Sequence, residues 1–434
     1  MKIKSLISFT FFFIFLIINS IPAQETVYRM PPSETYRNAL TLFEQQNYGA
    51  ARQMFAQAMQ EEKDKQGAFF ENAAYYSIVC AVELEDKDAY NQALIFAATY
   101  PGSAWIPSIH FQLGQLLFKD KKYDDALEMF QQISPQQLTA DQRTEYYYQI
   151  GYSQMKLNRY DAAIANFTKI TGSKTEYGRA ANYYYAHLQY MKGNYDEALK
   201  GFKAIENDRR FKKYVPNYLM HIYYIQGQFE KVVDEGKLYF ESADKTTRKE
   251  LARLLGNAYY NLKDYKHALE YYTEYENGGR HDQSPGEQYR IGYTKFVNGK
   301  EAAAIPNFQE ATKEGGTMEQ NAWYHLGFCY LATDQQKFAQ NAFLKAYKLK
   351  NDPLLTSDAL FNYVKTTITL GGDPYNDPVS TIEEFIKENP GTSESNQAYT
   401  LLSQLYLSSR NYDAAILSIE KTNRPDKQLQ KVYQ

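Results

Sequence analysis

Hydrophobic positions recur along this chain with the spacing of one face of an α-helix. A small residue is followed four positions later by a large apolar residue, and a third, mostly apolar or small position lies three residues further on. Offsets of four and three bring side chains onto one side of a helix. The pattern therefore predicts a recurring helix, here called helix B. Its small and large residues are Ala126 and Phe130, Ala163 and Phe167, Ala198 and Phe202, Ala268 and Tyr272, Ala304 and Phe308, Ala339 and Phe343, and Ala415 and Ile419.

A second amphipathic segment, predicted as helix A, precedes helix B in each copy. Twelve positions before the small residue of helix B lies another small residue. We expect these two small residues to face each other, so that the helix backbones approach closely. The large residue of helix B would then fill the groove toward the next copy. The helix A positions are Gly114, Gly151, Ala186, Gly256, Gly292 and Gly327.

Extending the helix A positions in both directions gives a repeat of 34–38 residues. The positions are Ala39, Ser77, Gly114, Gly151, Ala186, Met220, Gly256, Gly292 and Gly327. Nine helical pairs follow from them, and the sequence predicts a degenerate tenth over about 354–389 and an eleventh over 396–422. Repetition at this period is typical of solenoids, in which each copy packs on its neighbours.

The pattern resembles the tetratricopeptide repeat, whose motif has Gly or Ala in helix A, then Ala, a large aromatic and a small residue in helix B. Pro101 and Pro390 match the proline that often closes the motif. The resemblance covers nearly all of the chain after residue 23. It implies an all-α fold, a right-handed α-solenoid of about eleven helix-turn-helix units. Because such repeats serve many partners, it does not by itself name a function.

Some segments depart from the motif. The sixth repeat has Met220 and Val232 instead of the small pair and Gly236 instead of the aromatic residue, which predicts looser packing or a local bend. Residues 278–287 and 371–378 form longer connections than usual. Each is either a plain insertion or a binding loop.

The first 23 residues have the features of a secretory signal peptide. Lys2 and Lys4 precede an apolar run at 6–18, and Ala23 offers a small residue for cleavage. An uncleaved anchor is the alternative, although the run is short for a membrane span. We therefore expect a signal peptide at 1–23, the solenoid at 24–425, and at 426–434 the start of a further helix, in a chain that is truncated or packs its end on a partner.

Composition narrows the function classes. Hydrophobic residues make up 44% and charged residues 23%, so the chain can form a buried core. Removing residues 1–23 takes away two lysines and no acidic residue, so the net charge falls from −3 to −5. This balance does not favour nucleic-acid binding. The remaining chain has no long apolar run that predicts an integral membrane span, and export predicts a periplasmic location in a Gram-negative bacterium, with a peripheral outer-membrane association as a further possibility.

No pattern of catalytic residues is present. The chain lacks P-loop, HExxH, CxxC, GxSxG and GxGxxG motifs, and none of its six histidines has another at i+3 or i+4. We therefore predict no enzyme activity, no catalytic or metal-binding residues and no cofactor. Cys80 and Cys329 lie seven repeats apart, too far for a disulfide, and are predicted to be free buried thiols.

In the tetratricopeptide repeat family, the concave groove is lined mainly by helix A, at its second, fifth, ninth and twelfth motif positions. Carried over to this chain, these positions are rich in tyrosine, which suits recognition because a flat ring carries a polar tip. The alternative is that the rings only stack on one another. The predicted groove residues are Tyr148, Tyr152, Tyr183, His187, Tyr190, Asn217, His221, Tyr224, Arg253, Asn257, Tyr260, Tyr289, Tyr293 and Tyr324, and Tyr214 also occupies such a position.

These residues favour a non-enzymatic scaffold or adaptor that binds a protein or peptide. The stretches YPGS and NPGTSESNQAYTLLSQLY resemble repeats of envelope accessory proteins of the outer-membrane-assembly and Tol-Pal-associated kind. That resemblance implies a role in envelope assembly or secretion. Two alternatives remain: a glycan-binding protein of a nutrient-uptake system, and the sensor or docking part of a larger protein cut off at Gln434. The oligomeric state is left open.

Overall fold

The computed structural model describes residues 33–63, 67–278 and 284–422. Within these ranges the chain forms 22 α-helices and no strands, and the helices succeed one another as eleven antiparallel pairs. The fold is thus an all-α solenoid with the predicted number of repeats. The predictions for the signal peptide and for 426–434 lie outside the described residues, as do residues 279–283 of the loop at 278–287.

The chain divides into two compact units, residues 1–188 and 189–434. The first unit contains α1 (Glu34–Glu44), α2 (Tyr48–Glu61), α3 (Ala68–Glu83), α4 (Ala89–Thr99), α5 (Ile106–Lys119), α6 (Tyr123–Gln131), α7 (Ala140–Lys156), α8 (Tyr160–Thr168) and most of α9 (Glu176–Met191). The second contains α10 (Tyr195–Lys203), α11 (Val215–Ile225), α12 (Phe229–Ser242), α13 (Lys245–Asn261), α14 (Tyr265–Asn277), α15 (Pro285–Val297), α16 (Glu301–Ala311), α17 (Gly316–Ala332), α18 (Gln336–Leu349), α19 (Pro353–Leu370), α20 (Pro378–Glu388), α21 (Ser393–Ser408) and α22 (Tyr412–Glu420).

The turn from helix A to helix B is built alike in every repeat. One of its residues has a positive φ, and the amide that follows donates to a carbonyl five residues back, as from Lys122 N to Leu117 O at 2.9 Å. This arrangement closes the C-terminal end of helix A and reverses the chain in a few residues. The positive-φ residues are Gln46, Glu85, Lys121, Asn158, Gly193, Gly227, Lys263, Gly299, Asp334, Gly371 and Arg410.

The helix A glycines make room for an aromatic ring. A Cβ on Gly327 would lie 2.4 Å from Phe343, and one on Gly151 would lie 2.8 Å from Phe167. The same relation joins Gly114 to Phe130 and Gly256 to Tyr272. In each case the nearest atoms belong to the aromatic ring that lies four residues after the helix B alanine. The space left by the missing Cβ of the glycine, here called the notch, holds the aromatic ring of the same repeat.

The sixth repeat buries the residues that depart from the motif, and the predicted looser packing or local bend stays a prediction. Met220 and Val232 are completely buried. The place left by the missing aromatic residue at Gly236 is taken by Leu255, which would lie 3.0 Å from a Cβ there, and by the sulfur of Met220 at 3.4 Å. Volume lost at one position is thus supplied by neighbouring side chains.

Candidate functional site

The predicted groove residues lie on the A helices α7, α9, α11, α13, α15 and α17. All are half-buried except Asn257, which is buried, and Tyr214, which directly precedes α11 and is exposed. Each unit carries its own groups of these residues, and each group has a defined set of ring contacts and hydrogen bonds.

In the first unit the tyrosines form a contiguous cluster. Tyr148 contacts Tyr152 and Tyr177, with ring centroids 6.0 and 5.2 Å apart, and Tyr152 lies 5.2 Å from Tyr184. Burial and the neighbouring phenols raise the pKa of Tyr148 above its usual value, so its hydroxyl is neutral. The cluster offers ring faces and neutral hydroxyl groups.

Tyr183 and His187 form a second group in the first unit. Their rings are parallel, with an interplanar angle of 3° and centroids 6.3 Å apart. The positions are four apart on one helix, which brings the side chains together. Burial lowers the pKa of His187, so the imidazole is neutral near pH 7.

In the second unit, Tyr190 pairs with His221. The Tyr190 hydroxyl lies 2.7 Å from His221 Nδ1, and the ring of Tyr190 packs edge-on against Tyr218 at 5.2 Å. Burial lowers the pKa of His221, and the charge of Arg253 lowers it further while Glu250 opposes the change. His221 is therefore a neutral imidazole within reach of a guanidinium group.

Arg253 bridges two carboxylates. Its Nη1 lies 2.9 Å from Glu287, and its Nε and Nη2 donate to Glu250. Burial works against the charge of Arg253, but the hydrogen bonds to both carboxylates outweigh burial and raise its pKa. The predicted groove residue Arg253 is thus already paired, and it ties α13 to α15 by a charged contact.

The two asparagines predicted to line the groove, Asn217 and Asn257, both have a buried side-chain oxygen. Asn257 is 1% exposed, and its Oδ1 accepts hydrogen bonds from the Tyr272 hydroxyl at 2.7 Å and from Arg290 Nε at 3.2 Å. Asn257 therefore positions Tyr272 and Arg290 and is not itself accessible to a partner. Asn217 keeps a buried Oδ1 that has no hydrogen-bond partner among the described residues. Tyr224 accepts a hydrogen bond from the Asn261 amide at 3.3 Å.

A larger aromatic group surrounds His325. The imidazole contacts Tyr289, Tyr293 and Tyr324 at centroid distances of 5.8, 5.2 and 5.6 Å. Its Nδ1 lies 2.8 Å from the Asn321 carbonyl oxygen, and burial lowers its pKa. The group continues to Tyr260, whose ring lies 6.1 Å from Tyr293.

A further position on helix A was missed by the sequence analysis. This position lies two residues before the small residue of helix A. Its side chain packs on the aromatic residue of helix B in the preceding repeat. The signal is an aromatic or cationic residue immediately before or after a predicted groove position. The pairs are Phe167 and Tyr184 at 5.9 Å, Phe202 and Tyr218 at 4.6 Å, and Phe308 and His325 at 5.4 Å, with Arg290 against Tyr272 as the polar equivalent.

The loop at 371–378 is compact. Asp373 accepts hydrogen bonds from the amides of Tyr375 and Asn376 and from the Tyr363 hydroxyl at 2.9 Å. It holds Tyr375 92% exposed at the edge of a cavity of about 960 Å³, which Phe338 also lines.

Over 33–63, 67–278 and 284–422, no three His, Cys, Asp or Glu side chains are grouped so that they could hold a metal ion. In the described part of the chain, no helix has the length and apolar character needed to cross a bilayer.

These features define the class of the protein as an α-solenoid of helical pairs with tyrosine-rich A helices. Two tetratricopeptide-repeat family models match it, one at residues 148–210 and one at 254–276, 320–353 and 397–421. The chain thus carries tetratricopeptide repeats at these residues, and such repeats support a role as a protein–protein interaction scaffold.

Solved structures that resemble the chain do so at low identity. One is a tetratricopeptide repeat protein from Parabacteroides merdae ATCC 43184, at 15% identity and a TM-score of 0.35, covering 60% of this chain and 99% of that one. Another is the structure of Naa15/Naa10 bound to HypK-THB, with 11% sequence identity and a TM-score of 0.38. That match covers 92% of this chain and 64% of the other. A third is the APC/C hetero-tetramer Cut9–Hcn1, with 15% sequence identity and a TM-score of 0.26. That match covers 90% of this chain and 80% of the other. A search of curated proteins found no match.

Proposed function

We propose that this protein is a non-enzymatic, exported scaffold that binds a protein or peptide along the tyrosine-rich surface of its A helices. We place it in the periplasm of a Gram-negative bacterium, in envelope assembly or secretion. The location rests on the signal-like sequence at 1–23 and the role on the resemblance of two short stretches to envelope accessory repeats.

The observation that carries the binding proposal is the arrangement of the tyrosines. Tyr148, Tyr183, Tyr224 and Tyr289 are half-buried, so part of each side chain is held by its neighbours while part faces outward. A tyrosine that is already ordered loses little conformational entropy when a partner packs on it. Half-buried aromatic rings with polar hydroxyl groups are typical of protein-binding surfaces.

The neutral state of the polar groups supports a peptide rather than a strongly charged ligand within the tyrosine-rich surface. Burial raises the pKa of Tyr148 and Tyr289 and lowers that of His187 and His221. Neutral hydroxyl and imidazole groups can exchange hydrogen bonds with peptide amides and carbonyls. Arg253 is held by Glu250 and Glu287, so its charge is compensated within the surface.

The test is a pull-down from envelope extract with residues 24–434 as bait, compared with the variant Y183A/Y224A/Y289A. A matched control, Y160A/Y375A/Y412A, removes three tyrosines outside the predicted groove. We expect a protein that co-purifies with the wild type and the control and is lost from the groove variant. Circular dichroism checks that both variants fold.

Placing a photo-crosslinking residue at Tyr183, Tyr224 or Tyr289 locates the contact directly. We expect crosslinks to the captured protein from these positions and none from Tyr375 or Tyr412. A captured protein that is retained by the groove variant, or crosslinked only from the control positions, would overturn the proposal. In that case purified glycans are the next ligands to test.

A further inference from the structure

The connection between α10 and α11 carries a concentration of positive charge. It spans residues 204–214, whereas residues 243–244 are enough to join α12 to α13. Its last part reads NDRRFKKY and holds Arg209, Arg210, Lys212 and Lys213 with a single acidic residue, in a chain whose net charge is −3. The sign of the charge here is opposite to that of the whole protein.

The connection has a fixed backbone. The Asp208 carbonyl oxygen accepts hydrogen bonds from the amides of Phe211 at 3.0 Å and Lys212 at 2.9 Å, and the Asp208 carboxylate accepts one from the Arg210 amide at 2.9 Å. The Tyr214 amide donates to the Phe211 carbonyl at 2.8 Å. The basic side chains are therefore displayed from an ordered turn, which lowers the entropy lost on binding.

This turn is anchored to the start of α13. Lys213 Nζ lies 2.7 Å from Asp244, and the Thr247 hydroxyl donates to the Lys213 carbonyl at 3.4 Å. The hydrogen bonds from Lys213 and from the Thr247 amide lower the pKa of Asp244 to about 2. Asp244 therefore compensates the charge of Lys213, and Lys245 is the next residue of the chain after Asp244.

Three cations remain available. Arg209, Lys212 and Lys245 are exposed, and their side chains form no ion pair or hydrogen bond with other described residues. We call these three residues the basic turn. Their charges are solvated and uncompensated in the described ranges, so they can pair with negative charges of another molecule.

The basic turn borders the proposed groove. Tyr214 ends the turn, is 51% exposed, and occupies the second motif position of its A helix, one of the predicted groove positions. The Lys213 ammonium group lies 5.8 Å from the centroid of its ring. A segment lying on the A helices at Tyr214 would thus continue directly onto the cations.

We propose that the basic turn binds an acidic segment of the protein that occupies the groove. This inference rests on the proposed function, because it assigns a charge to part of the same partner. A protein segment is favoured over a membrane surface because Tyr214 is the only large apolar side chain of the turn that is well exposed. Membrane-surface binding draws on inserted apolar side chains as well as on charge.

The test uses the whole chain and a fluorescein-labelled decaglutamate peptide, with decaglutamine as the neutral probe, followed by fluorescence anisotropy. The variant R209E/K212E/K245E reverses the basic turn. The matched variant K266E/K337E/K365E reverses three exposed lysines elsewhere in the same unit and has the same net charge. Thermal unfolding by circular dichroism verifies that both are folded.

We expect the wild type and the matched variant to bind decaglutamate and not decaglutamine, with an affinity that falls as salt rises. The basic-turn variant should bind at least about tenfold more weakly at low salt. Equal weakening of both variants, or equal binding of the two peptides, would overturn the proposal. Binding to phosphatidylglycerol vesicles without binding to decaglutamate would overturn it in favour of a lipid surface.

The groove variant Y183A/Y224A/Y289A separates this inference from the proposed function. A partner that is lost from the groove variant but retained at low salt by the basic-turn variant sinks the inference and leaves the proposed function standing. A partner lost from both, with decaglutamate still bound by the groove variant, supports both proposals. Decaglutamate binding at the turn without any groove-dependent partner would overturn the proposed function, and with it the assignment of the acidic segment to a protein in the groove.

Discussion

The hydroxyl of Tyr190 lies 2.7 Å from Nδ1 of His221, so a hydrogen bond joins the A helices of two consecutive repeats. Both side chains are half-buried, and the pair lies within the predicted groove. A contact of this kind fixes the position of one repeat on the next.

Replacing Tyr190 by Phe should therefore destabilise the fold by about 0.5–1.5 kcal/mol, because the imidazole loses its partner. A double-mutant cycle with His221→Gln, followed by urea unfolding, should give a coupling energy of similar size. The Tyr195→Phe change is the control, since no hydrogen bond of that hydroxyl is found among the described residues. A coupling energy near zero would contradict the assignment.

Acid should weaken the fold before the carboxylates titrate. Burial lowers the pKa of His110, His187, His221 and His325 below the ordinary value of 6.5. As the pH falls through about 6.5, the unfolded chain binds protons that the folded chain does not, so stability present above this pH is lost toward the folded-state pKa values.

The measurement is the midpoint of urea unfolding at several pH values between about 7.5 and 5. We expect the midpoint to fall steadily with acid. The His325→Phe variant, which keeps an aromatic ring among Tyr289, Tyr293 and Tyr324, should show a shallower fall. A wild-type midpoint that does not change over this range would refute the prediction.

Adding one methyl group to a helix A glycine should disturb the core. The Gly327→Ala change places a Cβ 2.4 Å from the ring of Phe343, so it should cost about 1–3 kcal/mol. The Gly49→Ala change in α2 meets nothing within 4 Å and should be stabilising by about 0.5–1 kcal/mol. If the two variants have the same denaturation midpoint, the Phe343 ring does not require a glycine at residue 327. Adding Phe343→Leu to Gly327→Ala should restore part of the lost stability.

Removing the charge of Arg253 should leave Glu287 uncompensated. The Glu287 side chain is only 13% exposed, against 41% for Glu250. The Arg253→Met change should cost about 1–3 kcal/mol, because a half-buried carboxylate loses its partner. The double variant R253M/E287Q should recover part of this stability in thermal or urea unfolding. Equal stability of the single and double variants would show that the ion pair contributes little.

The two thiols should be unreactive in the folded protein. Cys80 and Cys329 are free and fully buried, and burial raises their pKa to about 11 and about 12. Few thiolates form near pH 8, and reagents have no access. A chromogenic disulfide reagent should react with both thiols at once in denaturant and only slowly without it. Rapid labelling of either thiol in native buffer would contradict the buried assignment.

Local periodicity made most of the fold predictable. The offsets of four and three from Ala126 to Phe130 and Ile133 describe a single helix face, which depends only on backbone geometry. The same reasoning applied to the helix A positions gave nine helical pairs, and the sequence also predicted a degenerate tenth pair, which corresponds to α19 and α20, and an eleventh. The signal peptide, the domain bounds and the binding role of the groove residues stay predictions.

The sequence by itself determined the helical period, the pairing of helices and the resemblance to the tetratricopeptide repeat, because each follows from residues close together in the chain. Tertiary structure decided which side chains face which. It buried Asn257 under Tyr272, placed Leu255 in the gap at Gly236, and put His325 among the tyrosines. These contacts depend on how helices of different repeats cross and on how their side-chain volumes fit, and neither is encoded in the spacing along one helix.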